Sequence, residues 1–234
     1  MDDEGAGRGA VGSGGMALDD AARELLAPFV ELLSVNGASI SVVTGPGHST
    51  VGASDAVAAR LEQLQFSLGE GPHWEALRTG QSVLVPDVHE APAVWPVFGA
   101  AATELPVRAL FAFPLTLGSA SVGVVDLYRT TTGSLSRSEI AKARSLAAVA
   151  ARAALRLAAA VAVDDQTPRG ARAPELRRVV HQATGMLLVQ LDLTASEALS
   201  RLRAHAFATG ASLESVAQEV VARRLKLDDP GAGQ

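Results

Sequence analysis

The chain has 234 residues, of which 48% are apolar and 19% are charged, and its net charge at pH 7 is −5. This composition is typical of one large or two small globular domains and excludes wholesale disorder. The chain contains no cysteine, which excludes disulfides, thiolate metal sites and thiol nucleophiles. Residues 1–166 hold 11 basic and 18 acidic side chains, whereas 167–234 hold 9 basic and 7 acidic. Positive charge is therefore concentrated in the C-terminal part.

The beginning of the chain, MDDEGAGRGAVGSGGM, predicts a flexible tail over 1–16 in a cytoplasmic protein. Acidic residues and glycines stand where a secretory signal needs a basic head and an apolar core. The most apolar long segment, 145–163, contains Arg152 and Arg156, so we expect no membrane span and no membrane partner. The five histidines lack the spacing of paired ligands, and neither a metal site nor a cofactor is predicted.

The first elements in chain order are a helix, a hairpin and two further helices. Residues 18–35 place leucines at helical spacing, which predicts an amphipathic helix. Two β-branched segments within 38–53 are separated by GPGH and predict a hairpin. Ser54 and Asp55 are suited to cap a helix that ends at about Phe66, and a short helix then ends at Gly80.

The next segments complete a sheet, which we expect between residues 38 and 129. QSVLVPD predicts a third strand, and VRALFAFPLTLG and SASVGVVDLYR predict two strongly apolar strands joined by a turn. Residues 136–163 predict a long helix for dimerisation or signalling, the alternative being one face packed on its own sheet. Its expected apolar stripe is Ile140, Leu146, Val149, Ala153, Leu157 and Ala160.

The C-terminal part predicts three short-looped helices after a linker over 164–174, which contains two prolines. The first helix is expected over 175–191. The second is expected from Thr194, whose TASE sequence has the pattern of a capping box, to a left-handed cap at Gly210. The third follows Ser212. The predicted fold class is therefore α+β, with an antiparallel sheet and flanking helices over 17–163 and an all-α bundle over 175–228.

The bundle sequence, VVHQATGMLLVQLDLTASEALSRLRAHAFATGASLESVAQEVVARRL, resembles the ANTAR domain of bacterial transcription antitermination regulators. The resemblance implies recognition of RNA hairpins by paired domains. Many members of that family have AKG where this chain has ATG, so Thr184 lacks a cationic contact of the family. Bases in single-stranded loops offer stacking and hydrogen-bonding edges to Arg, Gln and His. The candidate RNA-binding residues are Arg177, Arg178, His181, Gln182, Thr184, Gly185, Arg201, Arg203 and His205.

Several of these candidates have a structural alternative. Gly185 would let a backbone or phosphate approach closely, but it would equally suit packing between helices. Arg203 is beside the core residue Leu202 and could serve a carboxylate within the bundle. Some of the arginines are expected to be only solvated, as on any charged helix face.

The preceding region, with LGEGPHWEALRTGQSVLVPDV, WPVF, VRALFAFPL and SVGVVDLYR, resembles the GAF domains of actinobacterial GAF-ANTAR regulators over about residues 18–163. In those relatives LGEGP is commonly followed by cysteine, and His73 stands there in this chain, so thiol redox chemistry is not transferred. Pockets for small molecules are mostly apolar with few polar groups. The candidate pocket residues, each with core packing as an alternative, are His73, Trp74, Trp95, Phe98, Phe111 and Phe113.

The resemblance implies a non-enzymatic regulator, in which a small-molecule or protein signal at the GAF domain controls binding of tandem RNA hairpins by a homodimer. The sequence contains no GxSxG, no P-loop and no dinucleotide fingerprint. Asp87 and Asp126 are expected to cap turns at strand ends. A DNA-binding regulator and a GAF-fold enzyme acting on a small metabolite stay open as alternatives. Preference for hairpin RNA over duplex DNA, or turnover of a metabolite, would distinguish them.

Overall fold

A computed structural model describes residues 13–44, 47–164 and 172–227, with side chains described for 17–43, 48–160 and 179–227. We call 13–164 the N-terminal domain and 172–227 the C-terminal bundle. None of the helices within these ranges is long and apolar enough to cross a membrane. Of the predicted tail, residues 1–12 lie outside the described residues, as do residues 165–171 of the predicted linker.

The N-terminal domain is built on one antiparallel sheet with strand order β2-β1-β5-β4-β3. Its strands are β1 Gly37–Thr44, β2 Gly47–Ala53, β3 Val83–Val85, β4 Ala109–Leu117 and β5 Ala120–Arg129. Its helices are α1 Ser13–Leu32, α2 Ala56–Leu68, α3 Pro72–Thr79, α4 Pro96–Ala102 and α5 Arg137–Asp164, with a 3-10 segment at Val88–Ala93. The predicted α+β fold and the predicted strands are confirmed; α1 begins five residues before the expected start.

The two faces of the sheet have different covers, because side chains alternate along each strand. Ile40 and Val42 of β1 point to the face covered by α1 and α5, where they share a core with Leu127 of β5. The other face lies under α2, α3, α4 and the 3-10 segment. Apolar residues of α2, α4 and the 3-10 segment form a second core with Leu110 and Tyr128, and Ala76 of α3 packs on the same face. Both faces are therefore closed by helices, and the loops between α2 and α4 lie over the second face.

The long helix α5 packs on its own sheet, and its most deeply buried residues are not those of the predicted stripe. Its fully buried residues are the alanines Ala143, Ala147, Ala150, Ala151, Ala154 and Ala158. Within the predicted stripe, Ile140, Leu146 and Leu157 are partly buried against the same core, whereas Val149 is 80% exposed, so the stripe is only partly correct. Alanine, with no side chain beyond Cβ, lets α5 lie close to the strands, which is why the smallest residues and not the largest mark its buried face.

The C-terminal bundle has the three predicted helices, α6 Arg172–Leu191, α7 Ala195–Thr209 and α8 Leu213–Val221. The predicted capping box is confirmed: Glu197 N donates to Thr194 Oγ1 over 3.3 Å, and Thr194 N donates to Glu197 Oε2 over 2.7 Å. Gly210 is left-handed at φ 64° and Ser212 caps α8. The bundle core consists of Val180, Ala183, Leu187, Ala198, Leu202, Ala206, Leu213, Val216, Ala217, Val220 and Leu227, together with Phe66 from α2.

Candidate functional site

A cluster of buried polar side chains lies on the second face of the sheet. Ser41 of β1 and Asp126 of β5 point to this face. Thr50 and His48 of β2 point to it as well, because Thr50 is paired with Ser41 and His48 is two residues away. His73 of α3, in the helical layer that covers this face, contacts Asp126 and His48. Each of Ser41, His48, His73 and Asp126 is at most 5% exposed. Such burial is unusual for ionisable groups and requires that they satisfy one another.

A turn of special backbone geometry delivers His73 to the cluster. Gly71 has φ of 117°, in a region that side chains disfavour, and a Cβ there would lie 2.6 Å from Gln65 Oε1. That oxygen accepts a hydrogen bond of 2.8 Å from the backbone N of His73. Pro72 then occupies the first turn of α3, where its missing N–H is not needed. Gly71 is therefore required by both its φ and the neighbouring amide.

The hydrogen bonds arrange the cluster as a chain of three groups. His73 Nδ1 lies 2.6 Å from Asp126 Oδ2, and His73 Nε2 lies 2.9 Å from His48 Nε2. Ser41 Oγ is farther from His73 Nε2, at 3.3 Å. His48 Nδ1 is 3.8 Å from Glu62 Oε1, which accepts a 2.6 Å hydrogen bond from Thr50. A carboxylate therefore stands at each end of a pair of imidazoles.

Two opposing effects determine the charge on this chain. Burial disfavours the imidazolium of His73, but the negative charge and hydrogen bond of Asp126, together with the charge of Glu62, raise its pKa above the usual value of 6.5. The arrangement can thus hold a proton between carboxylates and pass it between two ring nitrogens. The described residues contain no group of three or more His, Asp or Glu arranged to hold a metal ion.

Ser41, His73 and Asp126 have the order of groups found in a serine hydrolase triad. The hydroxyl of Ser41 is buried within β1, at 1% exposure, and His48 Nε2 lies closer to the base nitrogen than Ser41 Oγ does. A nucleophile must reach both its base and a substrate carbonyl. The arrangement therefore lacks the access that acyl transfer needs.

A cavity of about 640 Å³ lies beside this cluster, between the N-terminal domain and the bundle. Trp74 and Trp95 line the side of the cavity formed by the N-terminal domain, and Leu199 and Arg203 of α7 line the side formed by the bundle. His73 lies behind it, with its ring 5.4 Å from that of Trp74. This cavity is large enough for a small ligand with an aromatic or apolar body.

Three of the predicted pocket residues do not line this cavity. Phe98 is fully buried in the core beneath α4, with its ring 6.4 Å from that of Trp95. Phe111 and Phe113 lie in the core under α1 and α5, on the opposite face of the sheet. Side chains alternate along β4, and Phe111 and Phe113 occupy positions that point away from this cavity.

Arg203 joins the bundle to the N-terminal domain. Its Nη2 donates a 2.6 Å hydrogen bond to the backbone oxygen of Phe66, at the end of α2. Its guanidinium carbon lies 5.5 Å from the ring centroid of Phe66 and 5.1 Å from that of Trp74, within cation–π range. Gly69 provides the space, because a Cβ there would lie 2.8 Å from Arg203 Nη1.

Burial lowers the pKa of Arg203 to about 10. None of the salt bridges among the described residues includes Arg203. The sequence allowed a carboxylate within the bundle as a partner of Arg203. The partners found are instead a backbone carbonyl and two aromatic rings of the N-terminal domain.

Further contacts extend the same interface. His181 Nε2 lies 3.1 Å from the backbone oxygen of His48, and its ring is 6.4 Å from that of Phe66. At another point, Gln63 Nε2 lies 3.4 Å from Glu214 Oε1 of α8. Phe66 completes the interface by packing into the bundle core. Two of the predicted RNA-binding side chains, His181 and Arg203, therefore face the N-terminal domain.

The outward side of the bundle holds other members of the predicted set. Arg201 and His205, four residues apart on α7, line a groove together with Lys226 and Glu197. Arg203 belongs to the same predicted set, but positions two apart on a helix differ by about 200°, so Arg203 points the opposite way from Arg201. Lys226 was not predicted, since it lies beyond the end of α8 and meets α7 only in the folded bundle.

The candidates on α6 have different surroundings. Gln182 and Gly185 are exposed, and no described atom beyond the backbone of its own helix would lie within 4 Å of a Cβ at Gly185. The alternative of helix packing at Gly185 is therefore not supported. Thr184 is 7% exposed and donates to Val180 O over 2.7 Å, which turns its hydroxyl away from the surface. The side chains of Arg177 and Arg178 lie outside the described residues.

Several members of the buried cluster were not predicted from the sequence as site residues. Asp126 was expected to cap a turn, but it lies inside β5 and is paired with His73. Asp87 does cap the 3-10 segment, accepting from His89 N over 3.0 Å. A charged residue at an inward position of an otherwise apolar strand, SVGVVDLYR, is the signal that could have identified Asp126. His48 and Glu62 give no such signal, because they meet only through the tertiary fold.

Comparison with known solved structures finds likeness over the N-terminal domain. The GAF domain from a phosphoenolpyruvate-protein phosphotransferase of Coxiella burnetii has 15% identity and a TM-score of 0.48, covering 62% of this chain and 86% of that one. The GAF domain/HD domain protein from Geobacter sulfurreducens has 15% identity and a TM-score of 0.46, covering 60% and 93%. A type II free methionine-R-sulfoxide reductase from Thermoplasma acidophilum has 14% identity and a TM-score of 0.45, covering 58% and 93%.

Comparison with curated protein sequences gives no match. Family patterns match both parts of the chain. The GAF domain pattern matches residues 15–154, which is more than half of the chain, and the ANTAR domain pattern matches residues 171–221. These ranges cover the sheet with its helices and the three-helix bundle, respectively. The chain therefore belongs to the GAF domain family and carries an ANTAR domain behind its GAF domain.

Proposed function

We propose that this protein is a signal-responsive transcription antitermination regulator of the actinobacterial GAF-ANTAR type, acting in the cytoplasm. The C-terminal bundle binds hairpin RNA, and the N-terminal domain controls it. The observation that carries this proposal is the ANTAR match over residues 171–221, which coincides with a bundle whose groove presents Arg201, His205 and Lys226. RNA binding and antitermination are what the ANTAR family does in general, and an ANTAR domain points to a regulator.

The RNA-binding surface is proposed to comprise that groove together with the exposed residues of α6. Arg201 and Lys226 supply phosphate contacts, and His205 and Gln182 supply contacts to bases that are splayed out of a loop. Gly185 allows a sugar or phosphate to approach the helix backbone closely. Arg177 and Arg178, which precede Gln182 along the chain, are proposed to contact the RNA as well.

The regulatory cycle is proposed to involve a homodimer and a signal at the N-terminal domain. The signal is a small molecule or a protein, and the cavity beside Trp74 and Trp95 is the candidate site for a small one. Helix α5, whose outward face includes the exposed Val149, changes the spacing of two bundles. Two bundles together capture tandem hairpins in a nascent transcript, and the captured hairpins exclude a terminator.

A titration of the full chain tests the function. The ligands are an RNA with two adjacent hexaloop hairpins, the same RNA with scrambled loops, and duplex DNA of the same sequence. Preference for the paired hairpins supports the proposal, and binding should weaken with salt because phosphate contacts release counterions. Preference for the duplex would instead support a DNA-binding regulator. Binding of hairpin RNA that does not change between low and high salt would contradict the proposed roles of the basic residues.

A further inference from the structure

The structure presents the bundle docked on the N-terminal domain through residues that were predicted to touch RNA. Arg203 is the centre of this contact, with a 2.6 Å hydrogen bond to Phe66 O and cation–π contacts to Phe66 and Trp74. His181, on the neighbouring helix, contacts His48 O over 3.1 Å. These side chains are oriented towards the N-terminal domain and away from the outward groove.

We infer that this docked arrangement is an autoinhibited state, in which the N-terminal domain and RNA compete for Arg203 and His181. This inference rests on the proposed function, because it presumes that the released bundle binds RNA. In the docked state the bundle offers RNA only part of its polar surface. When the bundle leaves, Arg203 recovers its solvated charge and becomes available to a phosphate or a base edge.

Charge supports the inhibitory direction of the contact. The region that contains the N-terminal domain, residues 1–166, carries 11 basic and 18 acidic side chains. Docking places a region of net negative charge against the bundle, and its repulsion disfavours the approach of a polyanion such as RNA. Release removes both the steric obstacle at Arg203 and this repulsion.

Burial explains why such a contact can be released. A guanidinium that is buried without a carboxylate loses hydration that one carbonyl and two rings only partly replace, and its Nε makes no hydrogen bond among the described residues. The cavities of about 690 and 640 Å³ on its two sides are both lined by Arg203, so the interface around it is not closely packed. The arginine contact is therefore specific but not strongly stabilising, as is required of a contact that must break and form again.

The first test replaces a residue of the N-terminal domain, so that the proposed RNA surface stays intact. Trp74→Leu removes one ring from Arg203, and Trp95→Leu is the matched control, since Trp95 contacts Phe98 and not Arg203. Small-angle scattering of each full-length variant reports whether the bundle is docked, and anisotropy with tandem-hairpin RNA reports affinity. We expect an extended Trp74→Leu protein that binds RNA about fivefold or more tightly than the wild type, and a control that matches the wild type.

A second test avoids any loss of packing. Gln63→Glu places a carboxylate against Glu214, where the wild type has a 3.4 Å contact between Gln63 Nε2 and Glu214 Oε1. We expect RNA affinity to rise about twofold to fivefold. Adding Glu214→Gln restores an amide-to-carboxylate contact in the reverse sense, and affinity should return to the wild-type value.

The outcomes separate the two proposals. If extended variants bind RNA no more tightly than the wild type, autoinhibition is overturned while RNA binding stands. If Trp74→Leu is as compact as the wild type, the contact to Arg203 does not hold the bundle, and the inference is again wrong. If neither the wild type nor an extended variant binds hairpin RNA at all, the proposed function fails together with this inference.

Discussion

Replacement of Asp126 by Asn should reverse the pH dependence that His73 gives to the stability of the fold. In the wild type, burial lowers the pKa of His73, but Asp126 and Glu62 raise it above 6.5 overall. Asn has nearly the shape of Asp and keeps an oxygen that can accept from His73 Nδ1, but it carries no charge. Only Glu62 then opposes burial, so we expect the pKa of His73 to fall below 6.5.

The sign follows from proton linkage. A raised pKa means that the folded wild type binds the proton more tightly than the unfolded chain does, so the stabilisation is complete below 6.5 and is lost as pH rises through the raised pKa. In the Asn variant the folded state resists protonation, so stability instead falls as pH drops below 6.5. Each unit by which the pKa falls changes the free energy of unfolding at acidic pH by about 1.4 kcal/mol, or roughly 3–5 °C in Tm.

Thermal unfolding at pH 6 and pH 9 measures the effect. His73→Gln supplies the reference, because it removes the titration at this position while all other groups still titrate. Relative to that reference, the wild type should gain stability at pH 6 and Asp126→Asn should lose it. The Asn variant will be less stable at both values, since its amide occupies the place of Asp126 Oδ1, which makes no hydrogen bond among the described residues. An unchanged sign of the difference would refute the assigned roles of burial and charge.

Three further changes test the bundle. Arg201→Ala should weaken hairpin binding and reduce the slope of log K against log salt by about 0.7, because one phosphate contact is lost. Arg224→Ala is the control: it removes only the exposed pair with Glu219 and should leave the affinity and the slope unchanged. Gly185→Ala should raise stability by up to about 1 kcal/mol in thermal unfolding and lower RNA affinity, and unaltered affinity would exclude close approach there. Thr194→Ala should cost about 1 kcal/mol through loss of the α7 cap, and an unchanged Tm would contradict that role.

The features that could be read from the sequence are those set by neighbouring residues. The capping box of Thr194, the left-handed Gly210 and the alternating strands depend on spacing within one element, and each is found where it was predicted. The stripe of α5 was only partly identified, because large apolar residues such as Val149 were taken as buried while the deeply buried alanines were not. The distance between α5 and the sheet, which makes alanines such as Ala151 the buried residues, is a property of the assembled layers.

The site was harder to read, because its members meet only through the fold. His48, Glu62, His73 and Asp126 come from two strands and two helices, and their separations along the chain carry no periodic signal. The same holds for Arg203: helical spacing alone places it opposite to Arg201, but nothing in the sequence says that another domain lies there. Family resemblance supplied the identity of both domains and not the surface by which they meet.

The buried cluster and the docking contact share side chains, which gives the N-terminal domain a physical means of influencing the bundle. His48 stacks on Phe66 with ring centroids 5.3 Å apart and lies 5.2 Å from Trp74. Phe66 and Trp74 are the rings that hold Arg203. Under the proposed regulation, a ligand in the cavity beside Trp74 would act on one of the two rings that contact Arg203. Coupling between the domains therefore needs no long path, since one layer of aromatic rings separates the buried imidazoles from the arginine.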